Sequence, residues 1–166
     1  MRIIINWLYL MHQKVLTFLI AILIIPVAMQ ILARFTEIVP NYIWTEEMSR
    51  FCLIWIIMIG ASIAVRDGTH FDVDILRSSE SIIGQVIGRC IVYLSIFLVA
   101  LIFIAFGWSF AKFGYDQNSE LTGMNMVFIH IAWPIAGFTW VLFILEKFYD
   151  DIKLISKNKE IGNGAV

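Results

Sequence analysis

Little in this chain is charged. Asp, Glu, Lys and Arg make up 15% of its 166 residues, against about 25% in a soluble domain. Three prolines and ten glycines are too few for collagen or a low-complexity segment, and two cysteines cannot found a disulfide scaffold. The net charge is −1, and no run of Lys or Arg offers a footprint for phosphates, so nucleic acid is not a partner. What is abundant is apolar: 60% of residues are hydrophobic, with 13 Phe and 6 Trp, and the mean hydropathy is +0.84. That balance belongs to an integral membrane protein, and residues 1–166 leave room for a single membrane domain.

A bilayer core about 30 Å thick requires roughly 20 apolar residues per helix. Four stretches meet or approach this, predicting spans at about 15–34, 43–65, 89–111 and 121–145. The uncharged part of the second, Phe51 to Val65, is short, so its helix must take in the preceding turn with Glu46, Glu47 and Arg50, inside the membrane. The first run lacks an A-x-A site and is longer than a signal-peptide core, so it reads as a retained anchor. With four spans, both termini and the middle loop share one side. That side holds Arg2, Lys14, Arg66, Arg77, Arg89, Lys147, Lys153, Lys157 and Lys159, and the other holds Arg34, Arg50 and Lys112. Nine against three places both termini in the cytoplasm. Trp7 and Trp140 are expected near the inner interface, Trp44 and Trp108 near the outer one, and Trp55 and Trp133 packed between helices. Apolar residues at Ile75, Leu76, Ile82, Ile83, Val86 and Ile87 predict an amphipathic helical segment leading into the third span. Residues 156–166 are expected to form a flexible cytoplasmic tail.

Chemistry-bearing residues are few. Cys52 and Cys90 sit at opposite ends of their spans, too far apart to pair. His12, His70 and His130 do not share a depth, which counts against a haem held between facing helices. His70, Asp72 and Asp74 have only a weak metal-loop spacing, so no metal or cofactor is expected. His130 lies one turn before Pro134, where a kink is expected, and is a candidate intramembrane polar contact. The richest cluster is Trp44, Glu46, Glu47, Arg50 and Trp55. Glu46 and Glu47 both lie within one helical turn of Arg50, so one carboxylate is left over and needs water or a base from another chain. The other face, Trp44, Met48, Phe51, Trp55, Met58 and Ser62, alternates steps of four and three, as a packing seam does. Gly60-Ala61-Ser62-x-Ala64 and Gly84-x-x-x-Gly88 permit close helix approach. No repeat, nucleophile–base pair or phosphate loop is present. The residues describe a small non-enzymatic membrane subunit, with a membrane anchor of a haem or quinone redox enzyme as the alternative.

The run W-T-E-E-x-x-R-F-x-x-x-W (Trp44 to Trp55), followed by G-A-x-x-A-x-R-x-G-x-H (Gly60 to His70) and Val73-Asp74, resembles the small membrane subunit of TRAP transporters, the DctQ-type family. The resemblance implies a non-catalytic subunit of a sodium-driven organic-acid symporter in the bacterial inner membrane. Its partners would be a separate large permease, whose static scaffold it extends, a periplasmic substrate-binding protein and membrane lipids. Trp44, Glu46, Glu47, Arg50, Trp55, Gly60, Arg66 and His70 would take part in the contact with the large subunit. Within the family the likeness is to the small subunit of sialic-acid systems.

Overall fold

The computed structural model describes residues 2–36, 40, 42–68 and 82–163, with backbone alone at 82–87 and 154–163. His70, Asp72, Asp74 and the first half of the expected amphipathic segment lie outside the described residues. The described chain is helical throughout its long elements: α1 Arg2–Phe35, α2 Ile43–Asp67, α3 Ile82–Tyr115, a short α4 Val127–His130, and α5 Ala132–Asn163. The helical backbone from Ile82 runs unbroken into the third span. Four helices are long and apolar enough to cross a membrane, the fourth being α4 and the first two thirds of α5 taken together. At about 1.5 Å per residue, α1 and α3 are each about 51 Å long, well beyond an apolar core of about 30 Å.

Chain reversals set two ends. The starts of α1 and α3 and the later turns of α5 share one end with the close of α2, here called the terminal end. The α1–α2 and α3–α4 connections lie at the other, the loop end. The helices do not close into a square bundle. α1 packs along α2, α2 along α5, and α5 along α3, giving a row α1–α2–α5–α3. Helix α5 is therefore interior, with 56% of its apolar window buried against 6% for α1 at the edge.

Small residues bring α3 against α4 and α5. A Cβ placed on Gly137 would come within 2.9 Å of the Ala100 carbonyl, and one on Gly107 within 2.9 Å of the Pro134 ring. Ala100, Gly107 and Gly114 recur at heptad spacing on α3, with Phe103 and Ala111 between them and Ile96 one turn before. The two backbones approach closely because nothing larger intervenes, which is how helices gain contact where lipid supplies no hydrophobic drive. The sequence drew attention instead to the glycines near 60 and 84, yet Gly60 has nothing within 4 Å of its missing Cβ.

Two further expectations change. Trp140 is not at an interface: it is 6% exposed, its indole N–H donates to the Ser62 hydroxyl at 3.0 Å, and its ring centre lies 5.1 Å from that of Phe103. The α2 seam also differs near its start, where Trp44 is exposed while Thr45, Glu47 and Cys52 are buried. Farther along, Met58 and Ser62 are buried as the seam requires.

The apolar run before the fourth span begins at Leu121, but the helical turns begin at Val127. Gly123 takes a left-handed backbone at φ 69°, Ser119 accepts from the amides of Leu121 and Thr122, and Asn125 accepts from the Val127 amide at 2.9 Å. These groups fold 116–126 into a cap closed by an Asn118–Asn125 bridge. The expected break near Pro134 falls at Ile131, between α4 and α5.

Gly137→Val should therefore lower the melting temperature sharply, since overpacking costs about 1–3 kcal/mol. Gly60→Ala should be neutral or slightly stabilising by comparison, because Ala is the better helix former by roughly 0.5–1 kcal/mol. Intrinsic fluorescence during heating in detergent measures both.

Candidate partner interface and its supports

The conspicuous charged residues of α2 divide between two jobs. Near the terminal end, Arg66 is turned into the chain. Its Nε donates to Glu146 on α5 at 3.2 Å, with both side chains largely buried, and its Nη2 reaches Asn6 on α1. The guanidinium also lies over the Tyr9 ring, 4.4 Å from its centre. Tyr9 donates in turn to Asp67 at 2.8 Å and accepts from Gln13 at the same distance. One arginine thus ties α1, α2 and α5 together. Arg2–Asp150 and Arg89–Asp151 add α1–α5 and α3–α5 pairs at this end. Of these carboxylates Asp151 is the buried one, and its second oxygen has no partner among the described residues.

Half a helix in, Ser62 and Thr139 face each other at 3.0 Å between α2 and α5, with Trp140 donating to Ser62. The sequence placed Ser62 on both a seam and a small-residue patch, but nothing in it paired that hydroxyl with Thr139. The only available signal was a Thr-Trp pair seven residues before Glu146.

At the loop end, the two acids beside Arg50 are not equivalent. Glu46 pairs with Arg50 at 3.5 Å, and both side chains are more than 60% exposed at the surface of this chain. Glu47 is 8% exposed and faces Ser119 and Thr122 of the capping loop. Its Oε2 has no hydrogen-bond partner among the described residues. The surplus carboxylate anticipated from the sequence is thus Glu47, and it is enclosed by the chain's own loop. Next to it opens a polar cavity of about 410 Å³ lined by Glu47, Arg50 and residues 117–121.

Trp55 joins α2 to α4, and His130 joins α4 to α3. The Trp55 indole donates to the Phe128 carbonyl at 3.0 Å, close to the interruption at Ile131. The His130 ring stacks on Phe110 with centroids 3.8 Å apart, and its Nδ1 lies over Gly114, leaving no room there for a Cβ. That Nδ1 has no hydrogen-bond partner among the described residues. His130 meets the neighbouring helix through its ring face and through a polar contact with the Phe110 backbone. His12, also buried, lies near the terminal end with Nδ1 2.8 Å from the Leu8 carbonyl and its ring edge-on to Phe143. His12 and His130 are thus not brought together. Among the described residues, no group of three or more His, Cys, Asp or Glu side chains converges.

Of the residues proposed for a partner, Trp44, Glu46 and Arg50 are exposed and Gly60 is open. Trp55, Arg66 and Glu47 are engaged within the chain, and His70 lies outside the described residues.

Residues 7–154 match the family described as tripartite ATP-independent periplasmic transporters, DctQ component. Two relatives from Haemophilus influenzae are named as TRAP transporter small permease proteins. One is 27% identical over 116 residues, covering 66% of this chain and 67% of the relative. The other is 26% identical over 93 residues, covering 56% of this chain and 58% of the relative.

Arg66→Ala should destabilise the isolated chain by about 3–5 kcal/mol, because it leaves the Glu146 carboxylate buried without its base. Arg66→Lys should recover little, as one ammonium cannot reproduce the planar group's contacts to Glu146, Asn6 and Tyr9. Arg50→Ala, removing a surface pair, should cost about 1 kcal/mol or less. Thermal unfolding of the three variants against the parent ranks them.

Proposed function

Because the chain belongs to the DctQ family, a small membrane-embedded component of transporters and not an enzyme, we propose that it is the non-catalytic small subunit of a sodium-coupled TRAP importer of organic acids. It binds a large permease and widens the static scaffold against which that permease moves. The observation that carries this reading is the helix row. A row leaves the outer sides of α1 and α3 apolar and uncovered, with large exposed side chains along each, a shape suited to lying against a larger membrane body. The polar groups inside the chain are spent on holding helices together, which suits a support more than a transport path. Family membership favours this reading over a redox-enzyme anchor.

On this reading the contact with the permease is centred on the face of α2 that carries Trp44, Glu46, Arg50 and Gly60. Trp55 and Arg66 hold that helix in place, and His70 follows it. A periplasmic binding protein delivers the substrate, and sialic acid is the organic acid proposed. The nine-to-three charge bias assigns the terminal end, with its ion pairs, to the cytoplasm of a bacterial inner membrane, and the Glu47 loop to the periplasm.

Co-expression with a large TRAP permease should give one co-eluting species in detergent. A chain that elutes only by itself or as a homodimer defeats the subunit reading. Gly60→Leu and Trp44→Ala should reduce the co-eluting fraction, whereas Lys112→Ala should do little and the binding protein's own affinity for substrate should not change. For orientation, a cysteine at Asn41 should react with an impermeant thiol reagent on spheroplasts and one at Ser79 should not; the opposite pattern reverses the topology.

A further inference from the structure

We propose that the outer face of α1 binds the phosphate of an anionic phospholipid, held between the Lys14 ammonium and the Trp7 indole N–H. Such a site is independent of the subunit reading above.

Contacts across the row set the level of Lys14. Tyr9 donates to Asp67, and Asn6 accepts from Arg66, so this part of α1 is level with the close of α2 and with the Arg66–Glu146 pair. The His12 ring meets Phe143, just under one turn loopward of Glu146. Toward the other end Gln30 donates to Ser49, the neighbour of Arg50. Between these levels α2, α3 and α5 present residues 51–65, 90–111 and 132–145, none of them Asp, Glu, Lys or Arg. Lys14 lies loopward of His12 and so just inside this charge-free layer. It is there because the uncharged run of α1, residues 15–33, is displaced along its helix toward the loop end.

The surroundings of Lys14 are those of a bilayer edge. Steps of three and four place it on one stripe with Ile3, Trp7, Leu10 and Phe18, all exposed. A helical side chain leans over the turn before its own Cα. Because α1 starts at the terminal end, the Lys14 stem runs along Leu10 toward Trp7 and carries its ammonium to the border of the layer. A charge beside hydrocarbon calls for an opposite charge or water. Among the described residues neither the Lys14 ammonium nor the Trp7 N–H has a partner. The carboxylates at this level are engaged elsewhere: Asp67 accepts from Tyr9, Glu146 from Arg66, Asp150 from Arg2 and Asp151 from Arg89. Apolar side chains flank the ammonium on both sides along the stripe, and a free phosphate would leave them in water. A phospholipid meets both needs, with its phosphate at Lys14 and Trp7 and its acyl chains along Phe18. A zwitterionic headgroup brings a cation of its own to compete for that phosphate, so the preference is for an anionic lipid.

Native mass spectrometry of the full chain tests this, released from micelles doped equally with phosphatidylglycerol and phosphatidylcholine. The parent should retain phosphatidylglycerol in preference. Lys14→Leu and Lys14→Gln should each weaken that retention about fivefold, the worth of one lysine at an anionic surface, and Lys14→Arg should keep it. Trp7→Phe, which keeps a ring and deletes the donor, should weaken it by a smaller factor. Lys153→Leu, at an exposed cation of the same end, should change little. A parent without preference for phosphatidylglycerol overturns the site, as does a preference that survives Lys14→Leu or is untouched by Trp7→Phe. If millimolar sodium phosphate displaces the lipid, the site takes free phosphate and the lipid assignment fails. If Lys14→Leu keeps the preference and instead lowers co-elution with a large TRAP permease, an acidic side chain of that partner meets Lys14, and the lipid site is again overturned.

Discussion

Lipid gives helices no hydrophobic reason to associate, so they must be held by shape and by hydrogen bonds. In this chain α5 is where both act. One side of it takes α3 through missing side chains at Gly107 and Gly137. The other side takes α2 through the Ser62–Thr139–Trp140 contacts and the Arg66–Glu146 pair. Helix α1 is fastened mainly to α2, and its tie to α5 lies toward the terminal end, where Arg2 reaches Asp150 and the His12 ring meets Phe143 edge-on. Remove α5 and only the short α4, packed on α3 and bonded to Trp55 of α2, still joins the two remaining parts.

The polar groups follow a gradient along the helices. Paired charges between helices gather at the terminal end, neutral hydroxyls and one indole at mid-depth, and at the loop end a carboxylate that faces the capping loop and an imidazole nitrogen without a hydrogen-bond partner among the described residues. Burying a charge is tolerable when its partner is fixed nearby, and the terminal end meets that condition from within the chain. At the loop end the buried Glu47 is met by Ser119 and Thr122 of the chain's own capping loop, with Arg50 nearby.

Hydropathy alone made four spanning helices legible, because runs such as Cys90 to Ala111 are uncharged over the length a bilayer core requires. Side-chain destinations were less legible, for identifiable reasons. Glu46 and Glu47 are both within reach of Arg50 along the helix, and only the capping loop, remote in sequence, breaks the tie. Trp140 lies a few residues from Glu146 and so reads as an interface residue, until Ser62 on another helix supplies an acceptor at depth. The Ala100, Gly107, Gly114 stripe was present in the sequence at heptad spacing but was masked by an all-round apolar helix, in which no face stands out. Leu121 to Met126 looks helical by composition, yet Gly123 and Asn125 turn it into a cap. In each case a tertiary partner overrides a local preference.

Spatial order and chain order differ: the third spanning helix stands outside the fourth. Helices α1 and α2 can pair as soon as both have left the insertion machinery, whereas α3 meets no packing neighbour until α4 and α5 follow it. It is equipped for that wait, with the highest hydropathy of the four at 2.8, while the helix that must slip between α2 and α3 has the lowest, 1.9. Packing of the four can therefore close only from the flanks inward, and the last of them in chain order is the keystone.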